Sequence, residues 1–212
     1  MSTPNHKIRL VMELRSAGVT DTRVLSAIER IPREEFTPPS FRDQAYEDTA
    51  LPIGHGQTLS QPSVVGLMTQ ALEVGPRMKV LEVGTGSGYQ AAILSLLCRR
   101  LYTIERHRPL LDEAEARFKR LRLHNITSRH GDGWAGWPEQ APFDRIILTA
   151  APPDIPTVLL DQLSVGGIMV LPVGTEKRAQ RLVRIRRTDS GIVQEDIGAV
   201  RFVPMVHGLP PE

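Results

Sequence analysis

Cysteine is almost missing from this chain: Cys98 stands alone among 212 residues. A single thiol excludes an internal disulfide. It lies in the apolar stretch ILSLLC with no base beside it, so a buried, inert side chain is expected and not a nucleophile. Such cysteine use suits a reducing compartment. Long apolar runs are missing too. No stretch approaches the ~18 residues that a membrane span needs, and the opening MSTPNHKIRL lacks the apolar core of a secretory signal. No membrane contact and a cytoplasmic location are expected. Charge of one sign is not in excess: 26 Lys and Arg against 24 Asp and Glu leave a formal net charge of +2, too little to argue for nucleic acid. His6, His55, His107, His124, His130 and His207 show no H-x-x-x-H or related spacing, and no metal is expected. Repeats and low-complexity tracts are also absent.

What is present is an ordinary globular composition, 41% hydrophobic and 24% charged, at a length that suits one domain. Two short helices are expected first, one carrying Ile8, Val11 and Met12 on one face and one carrying Val24, Leu25, Ile28 and Ile31. Residues 32–59 are rich in Pro, Gly and Thr and read as a long irregular segment, the kind of loop that in a compact domain is usually functional or disordered. A helix starts at Gln61-Pro62, because proline suits the first helical turn. Strands at 79–83, 101–105, 126–130, 145–149 and 168–171 then alternate with helices at 89–98, 109–123 and 155–163. That alternation predicts an α/β fold, a mostly parallel central sheet with helices on both faces. Residues 181–187 and 199–206 read as strands with no helix between them, hence an antiparallel C-terminal edge. The expected organisation is a single domain, 1–212, with an N-terminal helical and loop segment (1–75), a cofactor-binding core (76–175) and C-terminal strands (176–212). The basic run Lys177, Arg178, Arg181, Arg184, Arg186 and Arg187 alternates with Val183 and Ile185. It reads as the solvated face of a strand, since no aromatic residue is interleaved to stack on bases.

The central motif is Val80-Leu81-Glu82-Val83-Gly84-Thr85-Gly86-Ser87-Gly88-Tyr89. It runs strand, glycine loop, helix. Glycines at 84, 86 and 88 permit a tight turn and close approach of a ligand to the backbone, with Thr85 and Ser87 between them. Glu105 ends the next strand, where a carboxylate accepts hydrogen bonds from ribose hydroxyls. These features alone fit two cofactor classes. The loop is G-x-G-x-G and not G-x-G-x-x-G, and Glu82 precedes it. A carboxylate there would repel a pyrophosphate but suits the sulfonium and ammonium of S-adenosylmethionine. Asp132-Gly133 follows the third strand, where the carboxylate would accept the adenine amino group; by itself Asp132 reads more readily as the start of an Asx turn, but its place in the fold favours the adenine contact. Trp134 and Trp137 either border the cofactor or pack the core.

Several segments together resemble the protein-L-isoaspartate O-methyltransferase family: IPREEF (31–36), AYEDTALPIGHGQTLSQPSVV (45–65), VLEVGTGSGYQAAIL (80–94), YTIER (102–106), HGDGWAGW (130–137), APFDRIILTAAPPDIP (141–156) and VRFVPM (200–205). The resemblance runs from about residue 20 to 206, and LPIGHGQTLSQP carries most of its specificity. It implies a Rossmann-like methyltransferase that moves a methyl group from S-adenosyl-L-methionine to the free carboxylate of L-isoaspartyl residues, leaving S-adenosyl-L-homocysteine. The ester then closes to a succinimide, which reopens partly to normal aspartate. It also implies Ser60 as the active-site residue, Thr58, Leu59, Gln61 and Arg106 beside the cofactor, backbone groups of Val200, Arg201, Phe202 and Val203 along an extended substrate peptide, and a monomer. Leu59 and Ser63 depart from the family's usual Ile and Tyr. Taken alone, Ser60 also reads as a helix N-cap, and His55 as a hydrogen-bonding loop residue.

Three rival functions stay in view. Methyltransferases that act on an extruded base commonly carry [DNS]-P-P-[YFW] after the fourth strand; here the sequence is Ala151-Pro152-Pro153-Asp154, without the aromatic. A module that binds S-adenosylmethionine without turnover and a hydride-transfer enzyme are the other two.

Overall fold

The computed structural model describes residues 3–175 and 179–210. Helices α1 (Thr3–Ser16) and α2 (Thr22–Arg30) lead the chain. Asp21 starts α2 by accepting the Arg23 N–H on its carboxylate, and the helix buries Val24, Leu25, Ala27 and Ile28. The segment from 32 to 59 is less irregular than expected. It holds short 3₁₀ turns at Arg33–Phe36 and Pro39–Gln44 and an antiparallel hairpin of β1 (Leu51–Gly54) and β2 (Gln57–Leu59). The hairpin escapes sequence reading because its strands are too short for alternation to register. Its turn holds His55 at φ 51 between Gly54 and Gly56.

After α3 (Pro62–Ala71) the alternating core begins: β3 (Lys79–Val83), α4 (Tyr89–Ser95), β4 (Arg100–Glu105), α5 (Arg108–Arg120), β5 (Ile126–His130), β6 (Phe143–Leu148), α6 (Thr157–Asp161) and β7 (Leu163–Val173). Strands β8 (Gln180–Thr188) and β9 (Gly191–Val200) complete one sheet in the order β5-β4-β3-β6-β7-β8-β9. The first five in that order are parallel, β8 runs antiparallel to β7, and β9 antiparallel to β8. The chain leaves β3 to one side and later returns to β6 on the other, so the β3 end is a topological switch point. Ligands of such sheets bind there, outside the carboxyl ends of the strands.

Burial explains the strand sequences. In β3 and β6 nearly every residue is buried because helices cover both faces, so the strands read as continuous apolar runs. Helix α4 goes further: all seven of its residues are buried. Cys98 is buried as well, and that burial pushes its thiol up to about 12, which leaves it protonated and unreactive at neutral pH.

The predicted strand at 199–206 needs correction. The last strand is β9, 191–200, and residues 201–206 leave the sheet. Pro204 cannot donate to a ladder, and its neighbours turn instead to the β6–α6 loop, where Ala151 N–H meets the Val203 carbonyl and Met205 N–H meets the Ala151 carbonyl, both at 2.8 Å. The outer edge of the sheet is therefore GIVQEDIGAV, largely exposed and acidic, opposite the arginines of β8. Arg181 pairs with Asp196, Arg184 with Glu73 and Glu195, and Arg186 with Glu73. Arg187 donates to three carbonyls of 160–163. Lys177 and Arg178 of the same run lie outside the described residues.

Candidate functional site

The carboxyl ends of β3 and β4 carry the glycine loop and Glu105. Gly84, Gly86 and Gly88 all have positive φ, 100, 52 and 89, which a residue with a Cβ adopts only at a cost. At Gly84 space forbids a side chain as well: a Cβ would come within 2.3 Å of Thr149 Oγ1, whose hydroxyl lies within hydrogen-bond reach of the Val83 and Gly84 carbonyls. The loop is thus laid against β6 and opens on the other side into a cavity. That cavity is lined by Val83 to Ser87, Tyr89 and Gln90 from the loop and α4, by Ile104, Glu105 and Arg106 from β4, and by Gly133, Thr149 and Ala150. Residues 56–60 of the hairpin and its exit form a second wall, and Val203, Pro204, Met205 and Val206 a third.

Of the three predicted acidic residues, Glu82, Glu105 and Asp132, only Glu105 lines this cavity. Its Oε2 accepts the Gly86 N–H at 2.8 Å and its Oε1 the His107 N–H at 2.9 Å. A carboxylate has about four acceptor positions, so two remain for ligand hydroxyls. Glu82 sits one residue inside β3, directly across from Thr103 of β4, and is fully buried. Its Oε2 accepts the Thr103 hydroxyl at 2.5 Å, and Thr103 in turn lies 2.6 Å from the Thr85 hydroxyl. Its Oε1 is buried without a partner among the described residues. Glu82 therefore reaches the cavity only through two hydroxyls and is no acidic wall. Burial, reinforced by the Glu105 charge and opposed by the Thr103 hydrogen bond, pushes its carboxyl up to about 8 from 4.5. The folded protein then binds a proton that the unfolded chain releases, so stability contributed by this group is present below pH 4.5 and lost as pH rises toward 8. The Glu82→Gln variant should gain on the parent by at least about 3 °C in Tm between pH 5 and 8; parallel Tm curves across that range would refute the assignment.

Asp132 is also placed differently from the expectation. Its Oδ1 accepts the Trp134 N–H, forming the Asx turn, and its Oδ2 accepts the Gly208 N–H at 2.8 Å. Gly133, not Asp132, lines the cavity. Arg106 lines it too, and its Nε donates to the Gly208 carbonyl. Residues 207 and 208 thus pack on the 132–134 turn and on Arg106, a contact that neither motif announces: His207 stacks on Trp134 with centroids 4.1 Å apart. Trp137 packs against Tyr102 and Arg129. At the hairpin tip His55 lies 5.4 Å from His107, which burial holds below the ordinary histidine range. No local sequence signal links these partners.

Ser60 precedes α3 but does not cap it. The helix starts from Gln61 without a side-chain cap of its own. Asp48 does the work: its Oδ1 accepts the Ser63 N–H at 2.8 Å and its Oδ2 the Gln61 side-chain amide at 3.0 Å. An anion at a helix N-terminus is favourable, and Asp48 supplies it from thirteen residues upstream of Gln61, which sequence reading missed. Ser60 is thereby left to a second cavity. This open groove of about 1190 Å³ is bordered by Ala50, Gly56, Thr58, Ser60, Gln61 and Val64 on one side, and by Thr175, Ala179, Gln180 and residues 199–204 on the other. Thr58 and Leu59 border the first cavity, and Gly56, Thr58, Ser60, Val203 and Pro204 border both. Val200, Arg201 and Phe202 line only the groove.

The residues present fit S-adenosylmethionine: a glycine cradle that a Cβ would disrupt, a carboxylate with vacant acceptor positions at the end of the second strand, and a mixed apolar wall. Comparisons with known proteins agree. Residues 5–209 match the model of the family described as protein-L-isoaspartate(D-aspartate) O-methyltransferase. A protein-L-isoaspartate O-methyltransferase of Rhodospirillum centenum is 65% identical over 213 residues, covering 100% of this chain and 96% of the relative. One from Paramagnetospirillum magneticum is 69% identical over 206 residues, 97% of this chain and 96% of the relative. Among solved structures, a protein-L-isoaspartate O-methyltransferase superposes with TM-score 0.82 at 29% identity over 93% of this chain; the match spans 65% of that longer protein. A Plasmodium falciparum structure in complex with S-adenosyl-L-homocysteine shares the fold, with TM-score 0.82 at 24% identity over 95% of this chain and 98% of that one. With a family match over nearly its whole length and relatives of such identity, the chain belongs to the protein-L-isoaspartate(D-aspartate) O-methyltransferase family.

Proposed function

We propose that this protein transfers the methyl group of S-adenosyl-L-methionine to the free α-carboxylate of L-isoaspartyl residues in damaged peptides and proteins, leaving S-adenosyl-L-homocysteine. One observation carries the reading: a donor cavity floored by the glycine loop meets an open groove at Ser60. A groove that size accommodates a peptide, and a junction of a few residues admits only its reacting group.

The bound cofactor supplies a methyl group already activated on a sulfonium. The acceptor carboxylate is ionised at neutral pH, its reference pKa being about 4, so no general base is required. The protein's part is to orient and to exclude water, a contribution of roughly 7–11 kcal/mol in favourable cases. In this reading Glu105 holds the ribose, the loop 84–88 cradles the methionine part, and the Ser60 hydroxyl donates to the carboxylate. Thr58, Leu59 and Gln61 keep Ser60 between the two cavities, with Gln61 tied back to Asp48. Residues 1–212 act as one domain, with the core at 76–175 binding the donor and the segments 1–75 and 176–212 holding the acceptor. The protein works as a monomer in the cytoplasm, where Cys98 stays reduced. No helix among the described residues is long and apolar enough to cross a membrane.

Labelled methyl should enter a synthetic isoaspartyl peptide as a base-labile ester, and not its aspartyl twin or RNA. Labelling of RNA in preference to the peptide would instead favour a nucleic-acid methyltransferase. Calorimetry should show heat with S-adenosylmethionine and none with NAD. Removing the Ser60 hydroxyl deletes one hydrogen bond to a charged group, about 1.5–3 kcal/mol. The Ser60→Ala variant should therefore lose roughly 10–100-fold in kcat/KM for the peptide. Its affinity for S-adenosylhomocysteine should stay unchanged, and equal loss of both would remove Ser60 from the acceptor side.

A further inference from the structure

The ladder between β8 and β9 ends where Gln180 faces Val200. Beyond that pair the main chain of 201–206 leaves the sheet, yet pairing continues through a side chain. Phe202 N–H donates to Gln180 Oε1 at 2.6 Å, and Gln180 Nε2 donates to the Phe202 carbonyl at 3.0 Å. A primary carboxamide presents a donor and an acceptor side by side, as a strand residue does. Gln180 thus extends the sheet by one pair without using backbone. Its side chain is held in turn. Gln180 is buried, and Gly174 lies so close that a Cβ there would stand 3.0 Å from Gln180 Cα and 3.3 Å from Cγ. The Gly174 N–H bonds the Pro152 carbonyl, and the adjacent Ala151 bonds Val203 and Met205. Residues 202–205 are therefore anchored twice, by Gln180 at Phe202 and by Ala151 at Val203 and Met205. Val203 and Pro204, inside this anchored stretch, border both cavities, as does Ser60.

We propose that Gln180 is a positioning residue for the acceptor peptide: by clamping the Phe202 backbone it fixes the groove wall 200–203 at the register that brings an isoaspartyl group to Ser60. This rests on the acceptor reading above. Gln180 acts through Phe202 and touches no reacting atom. Its loss frees the groove wall on one side and leaves the glycine loop and Glu105 untouched, so acceptor binding and donor binding come apart.

The experiment compares the parent with Gln180→Met, which keeps length but cannot hydrogen bond, and Gln180→Glu. Steady-state rates are measured with an isoaspartyl hexapeptide and with a minimal isoaspartyl dipeptide, and binding of S-adenosylhomocysteine by calorimetry. Two neutral hydrogen bonds are removed in Gln180→Met, so KM for the hexapeptide should rise about tenfold. Its kcat, its KM for the dipeptide and its affinity for S-adenosylhomocysteine should change less than about twofold on the same scale. In Gln180→Glu the ionised carboxylate still accepts from Phe202 N–H but repels the carbonyl. Protonated, it regains a donor. Its hexapeptide KM relative to the parent should therefore fall as pH is lowered from 8 to 5. An unchanged hexapeptide KM in Gln180→Met, or a parallel loss of S-adenosylhomocysteine binding, would overturn the proposal, as would a pH-independent ratio in Gln180→Glu. If the parent itself methylates no isoaspartyl peptide, the functional reading fails first and this inference with it.

Discussion

In the Glu105→Ala variant, affinity for S-adenosylhomocysteine is expected to fall by a factor between about one hundred and ten thousand. The carboxylate has two jobs in one place. It accepts the Gly86 and His107 N–H groups, which sets the loop against the start of α5, and it offers its remaining lone pairs to the cavity. A hydrogen bond to a charged acceptor contributes about 1.5–3 kcal/mol. Losing two from the ligand side alone costs about 3–6 kcal/mol, and each 1.4 kcal/mol is tenfold. The backbone side adds to this, because two N–H groups lose their partner. Calorimetric titration measures the result directly. A drop below about fivefold would mean that the ligand does not use this carboxylate, which the energies above do not permit if the ribose lies against β4.

The Gly88→Ala variant is expected to lose both stability and the cofactor site. Gly88 is the N-cap of α4 at φ 89, a conformation that costs a non-glycine residue roughly 1–2 kcal/mol. The new methyl group would also stand 2.7 Å from Phe118 Cε1 and 3.2 Å from Ala114 Cβ. Both belong to α5, so the helix must back away. Overpacking of this kind typically costs about 1–3 kcal/mol. Together these give about 2–5 kcal/mol, or a fall in Tm on the order of 10 °C for a protein of this size. Adding Phe118→Leu should recover part of the loss, the part due to crowding, and none of the part due to φ. A single variant within about 2 °C of the parent would show that α5 yields freely at this point.

The glycine loop was readable from sequence because its chemistry is local. Three glycines in five residues after an apolar strand answer to backbone angles that few other residues adopt, and the structure has those angles. The parallel core was readable for a similar reason: strands buried on both faces leave continuous apolar runs. Residues 199–206 misled because Val200, Phe202, Val203 and Val206 are strand-formers by type, yet from Val203 on they are used to wall a cavity. Strand β9 was hidden by the converse effect. It is an edge, and Gln194, Glu195 and Asp196 face water and salt bridges. The two glutamates differ by register alone. Glu105 is the final residue of β4 and reaches the cleft, whereas Glu82 stands one step short of the end of β3 and meets Thr103 across the sheet. Asp48 and Gly208 act on the site from far along the chain, and no spacing rule announces contacts of that kind.

Helix α4, which begins at the glycine loop, has no wet side. Most helices own a solvent stripe on which generations of substitutions accumulate without harm. Here Tyr89 through Ser95 are packed all round, so every substitution in this helix meets core atoms. The neighbouring α5 is built the other way, with Asp112, Glu113 and Glu115 pointing into water. A change of side chain on that outer face disturbs little packing, whereas any change in α4 must be absorbed by the core behind the glycine loop.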